Sequence, residues 1–272
     1  MPITFHRFRP ALALLILFLA ACSVPAGLRA QSSEPEEPEA NPGRPTISTP
    51  ATLVPTGYLQ FETGVLGAAD SGDFESRYGP NEVMKLTVLP RLELLAGSEP
   101  VVHSVDHDNH GSNAPGDVLL GVQVVVFQGE GVRPTIGLSY FHRVYTGDAS
   151  DLDSGSAANS GIILFSEDLK GFHFDVNGMF NDAVEGRANR VQFGQTLSVS
   201  HDLVGNFSFG GEVSRFTQPF LRGNAIQNLW YIGYKPRNTL VFDVGFSKGL
   251  TRTSTQWQAF VGFTYLLPKK LL

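Results

Sequence analysis

Residues 257–265 read Trp-Gln-Ala-Phe-Val-Gly-Phe-Thr-Tyr, and the alternation in them decides the class of fold. Trp257, Ala259, Val261, Phe263 and Tyr265 fall on one parity, while Gln256, Gln258, Gly262 and Thr264 fall on the other. Successive side chains of a strand point to opposite faces, so this spacing gives one apolar face and one polar or small face.

The same separation recurs upstream. Leu240, Phe242, Val244 and Phe246 oppose Thr239, Asp243, Gly245 and Ser247, and Phe207, Phe209 and Val213 oppose Asn206, Ser208, Gly210, Glu212 and Ser214. Phe172, Phe174, Val176 and Phe180 oppose His173, Asp175, Asn177 and Asn181, and Val118, Leu120, Val122, Val124 and Val126 oppose Gly121 and Gln123. No stretch after Gly57 sustains a helical period or an apolar run of transmembrane-helix length. The 29 Gly and 20 Phe of the chain suit tight turns and pleated strands better than helices.

A soluble barrel also alternates, with its apolar face inward and a face rich in Lys and Glu outward. Here the polar face carries Gly, Ser, Thr, Asn, Gln and scattered acids, as a wet lumen does, and the other carries large aromatics suited to lipid. Tyr58, Trp230, Tyr234, Trp257 and Tyr265 lie near strand ends, where interfacial girdles form. The reading is an all-β, transmembrane, antiparallel up-and-down β-barrel of about twelve strands, of the outer-membrane type, over residues 57–267. Residues 268–272 form a tail.

Loop lengths agree with that class. Leu89-Pro90-Arg91, Gly129-Glu130-Gly131, Leu169-Lys170-Gly171, Leu203-Val204-Gly205 and Pro236-Arg237-Asn238 read as tight turns. Longer connections alternate with them around Asp70–Pro80, Glu99–Pro115, Gly147–Ala158, Asp182–Asn189, Thr217–Asn224 and Leu250–Ser254. Short turns on the periplasmic side with both ends, and longer loops outside, is the outer-membrane arrangement.

The amino terminus carries an export signal. His6, Arg7 and Arg9 precede an apolar run from Ala11 to Ala21 that is short for a membrane span. Leu28-Arg29-Ala30 predicts a signal peptide over residues 1–30, and Leu19-Ala20-Ala21-Cys22 predicts instead one over 1–21 with a lipidated Cys22. Residues 31–56 are rich in Pro, Glu, Ser and Asn, which predicts a disordered, extended linker tethering the barrel to the periplasmic side. Cys22 is the single cysteine, so no intramolecular disulfide forms.

The net charge of -6 without a Lys/Arg-rich run offers no footprint for nucleic acid. The candidate lumen face holds Gln60, Glu62, Lys85, Glu93, Gln123, Arg143, Asp175, Asn177, Gln192, Glu212, Asp243 and Gln258. In a barrel this narrow such groups either line a small-solute path or knit the interior shut. His103, His107 and His110, interleaved with Asp106 and Asp108, are candidate metal ligands in one outer loop, although their spacing matches no established signature and a solvated loop explains them too. Asp148, Asp151 and Asp153 lack the other positions of a calcium loop. Ser139 and His142 fall on opposite faces, as do Ser198 and His201, and no nucleophile elbow or phosphate loop is present, so the sequence predicts neither an enzyme nor a cofactor.

Pro115-Gly116-Asp117-Val118-Leu119-Leu120-Gly121-Val122-Gln123, followed by Tyr145-Thr146-Gly147, resembles the Gly-Asp strand opening and the Thr-Gly of the MetA-pathway phenol-degradation family of outer-membrane transporters. Gly57-Tyr58-Leu59-Gln60-Phe61-Glu62-Thr63-Gly64 and Gly262-Phe263-Thr264-Tyr265-Leu266 are similar to that family's first and last strands. The resemblance implies an outer-membrane location, contact with outer-membrane lipid and the assembly machinery, and passage of small aromatic or hydrophobic solutes. It supplies no catalytic residues. The chain departs from the usual pattern by continuing past Tyr265 to Leu272.

Overall fold

A computed structural model describes residues 37–149, 152, 157–185, 188–221 and 223–272, with no side-chain description at 184 and 185. The signal-peptide and lipidation readings at 1–30 and Cys22, together with Asp151 and Asp153, lie outside the described residues.

Among the described residues fourteen strands run in chain order as β1 (Leu59–Ala69), β2 (Ser76–Leu89), β3 (Leu92–Ser98), β4 (Val102–Val105), β5 (Gly111–Ala114), β6 (Val118–Phe127) and β7 (Thr135–Tyr145). They continue as β8 (Ala157–Leu169), β9 (Phe172–Glu185), β10 (Ala188–Asp202), β11 (Phe207–Thr217), β12 (Asn224–Arg237), β13 (Leu240–Gly249) and β14 (Trp257–Leu266). Every pairing is antiparallel between neighbours, with β3 passing directly to β6. Strand β1 pairs with β14 on one side, Gly64 opposite Gly262, and with β2 on the other, Gly64 opposite Asn81. Twelve of the strands therefore close into a barrel, and β4 and β5 stand outside that ring on β2.

Turn chemistry fixes the register at one end. Lys170 and Gly171 both have positive φ, 53° and 83°, the pair of values that a two-residue hairpin turn needs to match the strand twist. The other end carries the longer connections, and three of them differ from expectation. Strand β2 begins at Ser76, inside the stretch read as a loop, and β9 and β10 extend through most of Asp182–Asn189. Within Glu99–Pro115, β4 and β5 form a hairpin, and β4 adds to the projecting end of β2, Tyr78 opposite His103. Gly79 permits this approach, because a Cβ there would lie 2.5 Å from the carbonyl oxygen of Val101.

Burial runs inside out relative to a soluble protein. Val244, Phe246 and Val261 are 53%, 51% and 56% exposed, whereas Glu62 and Gln123 are 2% and 1% exposed. Alternation along each strand thus places large apolar groups outside and polar groups within, the arrangement that a hydrocarbon solvent selects. The inner face is not purely polar. Leu164, Met179 and Phe216 form a buried apolar cluster with Ala51, and Leu266 buries with Val54 and Ala40.

Those partners reveal the largest difference from the sequence reading. Residues 37–56 are not a free linker, because they bond to the inner wall throughout: Asn41 to Gln60, Ser48 to Glu212 and Val54 to Glu93. Composition marks a segment as free when it cannot bury its own apolar surface. Here the barrel supplies ready acceptors for the segment's backbone donors. Beyond β14 the tail turns back, with the Leu271 amide donating to the Gly57 carbonyl at 2.7 Å.

Candidate functional site

The interior is a strap, residues 37–56, held against the wall by side chains that the strands aim inward. Near the turn end, the Asn41 amide donates to Gln60 Oε1 and the Gln60 amide returns a bond to the Asn41 carbonyl, both at 2.8 Å. The Gly43 amide donates to Glu62 at 3.0 Å, and Lys85 sits 2.5 Å from the same carboxylate oxygen. Arg44 then reaches across, 3.3 Å from Asp243 on β13 and 2.8 Å from Asn81 on β2.

The strap next circles the wall. The amides of Ile47 and Ser48 donate to the two oxygens of Glu212 at 3.1 and 2.7 Å, and the Ser48 hydroxyl meets Thr196. Thr49 and Asn177 exchange two bonds, at 2.6 and 3.0 Å. The Ala51 amide donates to Ser166, which donates to Asp175, and Gln123 holds the Pro50 carbonyl at 2.9 Å. Finally the Val54 amide donates to Glu93, which Thr87 also bonds. The strap touches β1, β2, β13, β11, β10, β9, β8, β6 and β3 before Gly57 bonds Thr87 and the chain enters β1.

Charge on the wall is resolved by the same segment. Among the described residues Glu62 pairs with Lys85, Asp243 with Arg44, Glu99 with Arg77, Asp117 with Arg143, and Asp175 with His173. Glu93 and Glu212 have no ion-pair partner among the described residues, and strap amides bond both, as the Gly43 amide bonds the Lys85-paired Glu62. Backbone N–H groups carry partial positive charge, so they replace a cation without adding one.

Of the residues read as lumen-facing, Gln60, Glu62, Lys85, Glu93, Gln123, Asn177, Glu212 and Asp243 meet the strap, and Asp175 meets it through Ser166. Gln192, Gln258 and Arg143 bond wall residues instead: Asn181, Gln227 and Asp117. The reading missed Phe216 and Phe260, both buried and in phase with Glu212 and Gln258. Phase was the available signal, since their parity is that of the polar face. It also missed His173, which bonds Asp168 at 2.7 Å and Asp175 at 3.2 Å.

Among the described residues the strap leaves space on both sides of it, in cavities at either end of the barrel. One of ≈ 170 Å³ toward the loop end is bordered by Asn81, Gln227, Leu229, Gln258 and Phe260, with Pro45 and Ile47 of the strap. The other, of ≈ 570 Å³ toward the turn end, is bordered by His173, Asp175, Ser200, Asp202, Tyr231 and Asp243. Thr46 borders both, so the strap at this residue is the partition between them.

The histidine loop does not converge. His103 bonds Asn113 and packs on Tyr78, His107 bonds Glu75 and the Ser71 carbonyl, and His110 faces Asp106. Among the described residues no group of three or more metal-ligating side chains is assembled, because the β4–β5 hairpin points these rings to separate partners. The His110 and Asp108 amides, at 2.8 and 2.9 Å, hold the Asp106 carboxyl below its ordinary value. Ser139 is buried and His142 exposed, on opposite faces of β7.

An outer membrane channel from Pseudomonas putida F1 superposes with a TM-score of 0.60 at 11% identity, over 84% of this chain and 100% of that one. The KdgM porin superposes with a TM-score of 0.52 at 11% identity, over 75% of this chain and 98% of that one. Both similarities are of fold. No curated protein matches the sequence. The family described as "Putative MetA-pathway of phenol degradation" matches residues 42–267, which takes in most of the strap as well as the barrel, and the chain belongs to that family.

Proposed function

We propose that this protein is a channel of the bacterial outer membrane for small solutes, in which the strap of residues 37–56 sets the width of the path. The observation that carries the reading is the pair of cavities meeting at Thr46 inside a closed, inside-out barrel. The chain is exported by its amino-terminal signal, cleaved after Ala30 or before a lipidated Cys22. Its short turns and termini face the periplasm and its longer loops face outward. The lining residues Asn81, Gln227, Gln258, Asp175 and Asp243 mix polar groups with Phe260 and Tyr231, which suits a compact solute with an aromatic ring and a polar substituent. The family description, phenol degradation, points to the same class. Neither a cofactor nor a catalytic group enters this reading.

A specific observation favours a second reading, a barrel closed by its own strap. The strap bonds nine wall strands between Asn41 and Val54, which is extensive anchoring for a segment that merely narrows a path. Planar-bilayer conductance and liposome swelling with phenol, benzoate and small sugars separate the two. The channel reading expects small steps and selective swelling from the mature protein. Conductance that appears only after deletion of residues 37–56 supports the closed barrel, and none from either protein overturns the channel.

A further inference from the structure

The loop end of the β10–β14 sector carries basic side chains with no carboxylate to answer them. From Val213 to Leu272 the single acidic residue is Asp243, and it faces inward onto Arg44. Arg215 shares the outward parity of Val213 and Phe209, and its guanidinium donates to Gln195 at 2.7 Å on the outer surface. Lys248 shares the outward parity of Val244 and Phe246. Its ammonium lies 3.9 Å from the centre of the Trp257 ring, which is half exposed beside it. Arg190 lies over Phe220 at 5.2 Å, and Arg252 is exposed in the β13–β14 loop. Among the described residues none of these four cations has an acidic partner.

The acidic sector that adjoins it at β14, made of the β1–β2 loop, the loop end of β2 and the β4–β5 hairpin, is reversed in sign, with Asp70, Asp73, Glu75, Glu82, Asp106 and Asp108. Basic and acidic sectors therefore lie side by side on the rim.

We propose that the loop end of β10–β14 is a docking surface for a phosphorylated lipid of the outer leaflet, its phosphates held by Arg215 and Lys248. This rests on the outward orientation of the loops given above. Cations on a lipid-facing wall need an anion or water, because an uncompensated charge against hydrocarbon is costly. Aromatic side chains such as Trp257 mark headgroup depth. The exposed neighbours Val213, Phe246 and Val261 are apolar, so the occupant must present acyl chains and an anionic head together. A lipid phosphate does both. The acidic sector repels the same headgroup, which bounds the contact at the β14–β1 seam.

Native mass spectrometry of the full mature protein with bis-phosphorylated lipid A, and with its dephosphorylated form, tests the assignment. The variant pair is Arg215→Gln with Lys248→Gln. The control is Lys269→Gln with Lys270→Gln at the turn end, and heat-modifiable migration verifies that each barrel folds. The expected result is retention of phosphorylated lipid A by the parent and the control. The Arg215/Lys248 variant loses roughly twenty-fivefold, the product of two basic groups at about fivefold each. Equal retention by parent and variant, or equal retention of dephosphorylated lipid, overturns the proposal. So does a lipid-free dimer that these substitutions dissolve, which assigns the surface to the acidic sector of a second copy. Bilayer conductance of the same samples keeps the two readings apart: a non-conducting barrel that binds lipid A sinks the channel and leaves the docking surface standing.

Discussion

Ser48 and Glu212 are joined at 2.7 Å between a strap amide and a carboxylate on β11, 164 residues away in sequence. Ile47 donates to the other oxygen of the same carboxylate at 3.1 Å. Glu212→Gln keeps one acceptor and turns the other into a donor facing an N–H. The expected outcome is a loosened strap, with loss of about 1–3 kcal/mol in its attachment. Hydrogen exchange checks it, because the amides of Ile47 and Ser48 should exchange faster while the β11 ladder keeps its protection.

Arg44 bridges Asn81 and Asp243 across the interior, beside the Thr46 partition. Arg44→Ala removes the bridge and leaves the Asp243 carboxylate without its cation. Single-channel conductance should rise, with a shift toward cation preference from the exposed charge. Unchanged conductance would place the narrowest point elsewhere.

Gly64 and Gly262 face each other across the β1–β14 seam, and a Cβ on either would collide with the Arg44 guanidinium and the carbonyl of the facing strand. Gly262→Ala should therefore expel Arg44 from its seat and reproduce the Arg44→Ala conductance. Barrel unfolding in urea, measured in bilayers, should show the extra cost of moving the strand carbonyls.

Val244 is 53% exposed at the middle of β13. On a soluble protein Val244→Arg would be nearly neutral. Against the bilayer midplane it should cost about 2–4 kcal/mol. Folding titrations into liposomes give the value, and a neutral result would contradict the lipid-facing assignment.

Asp106 is held below the usual carboxylate range by the amides of His110 and Asp108. A depressed folded value means that the order it confers is fully present above the unfolded value and is lost as pH falls through the folded one. Amide exchange at Asp108 and His110 should accordingly stay slow below the ordinary carboxylate range and quicken only at lower pH. Asp106→Asn should show no such transition.

Much of the site was legible because strand parity is a local property. Gln60, Glu62 and Glu212 could be assigned inward from period two alone, since the backbone turns each successive side chain through a half rotation. Phe216 and Phe260 obey the same rule, but as apolar residues on the polar parity they carry no sign of facing inward other than their phase. His103, His107 and His110 were different. Whether they converge depends on a hairpin register and on β2 projecting far enough to receive it, and neither has a local signature.

The sequence by itself determined a closed antiparallel barrel with its apolar face outward, because alternation, turn residues and loop lengths are each written in short stretches of chain. Only the tertiary structure decided what fills it. A segment of Pro, Glu, Ser and Asn such as 37–56 has no core of its own, so local rules leave it free. Its order comes from partners on nine strands, and Glu93 and Glu212, which have no ion-pair partner among the described residues, find their counter-charge in its backbone.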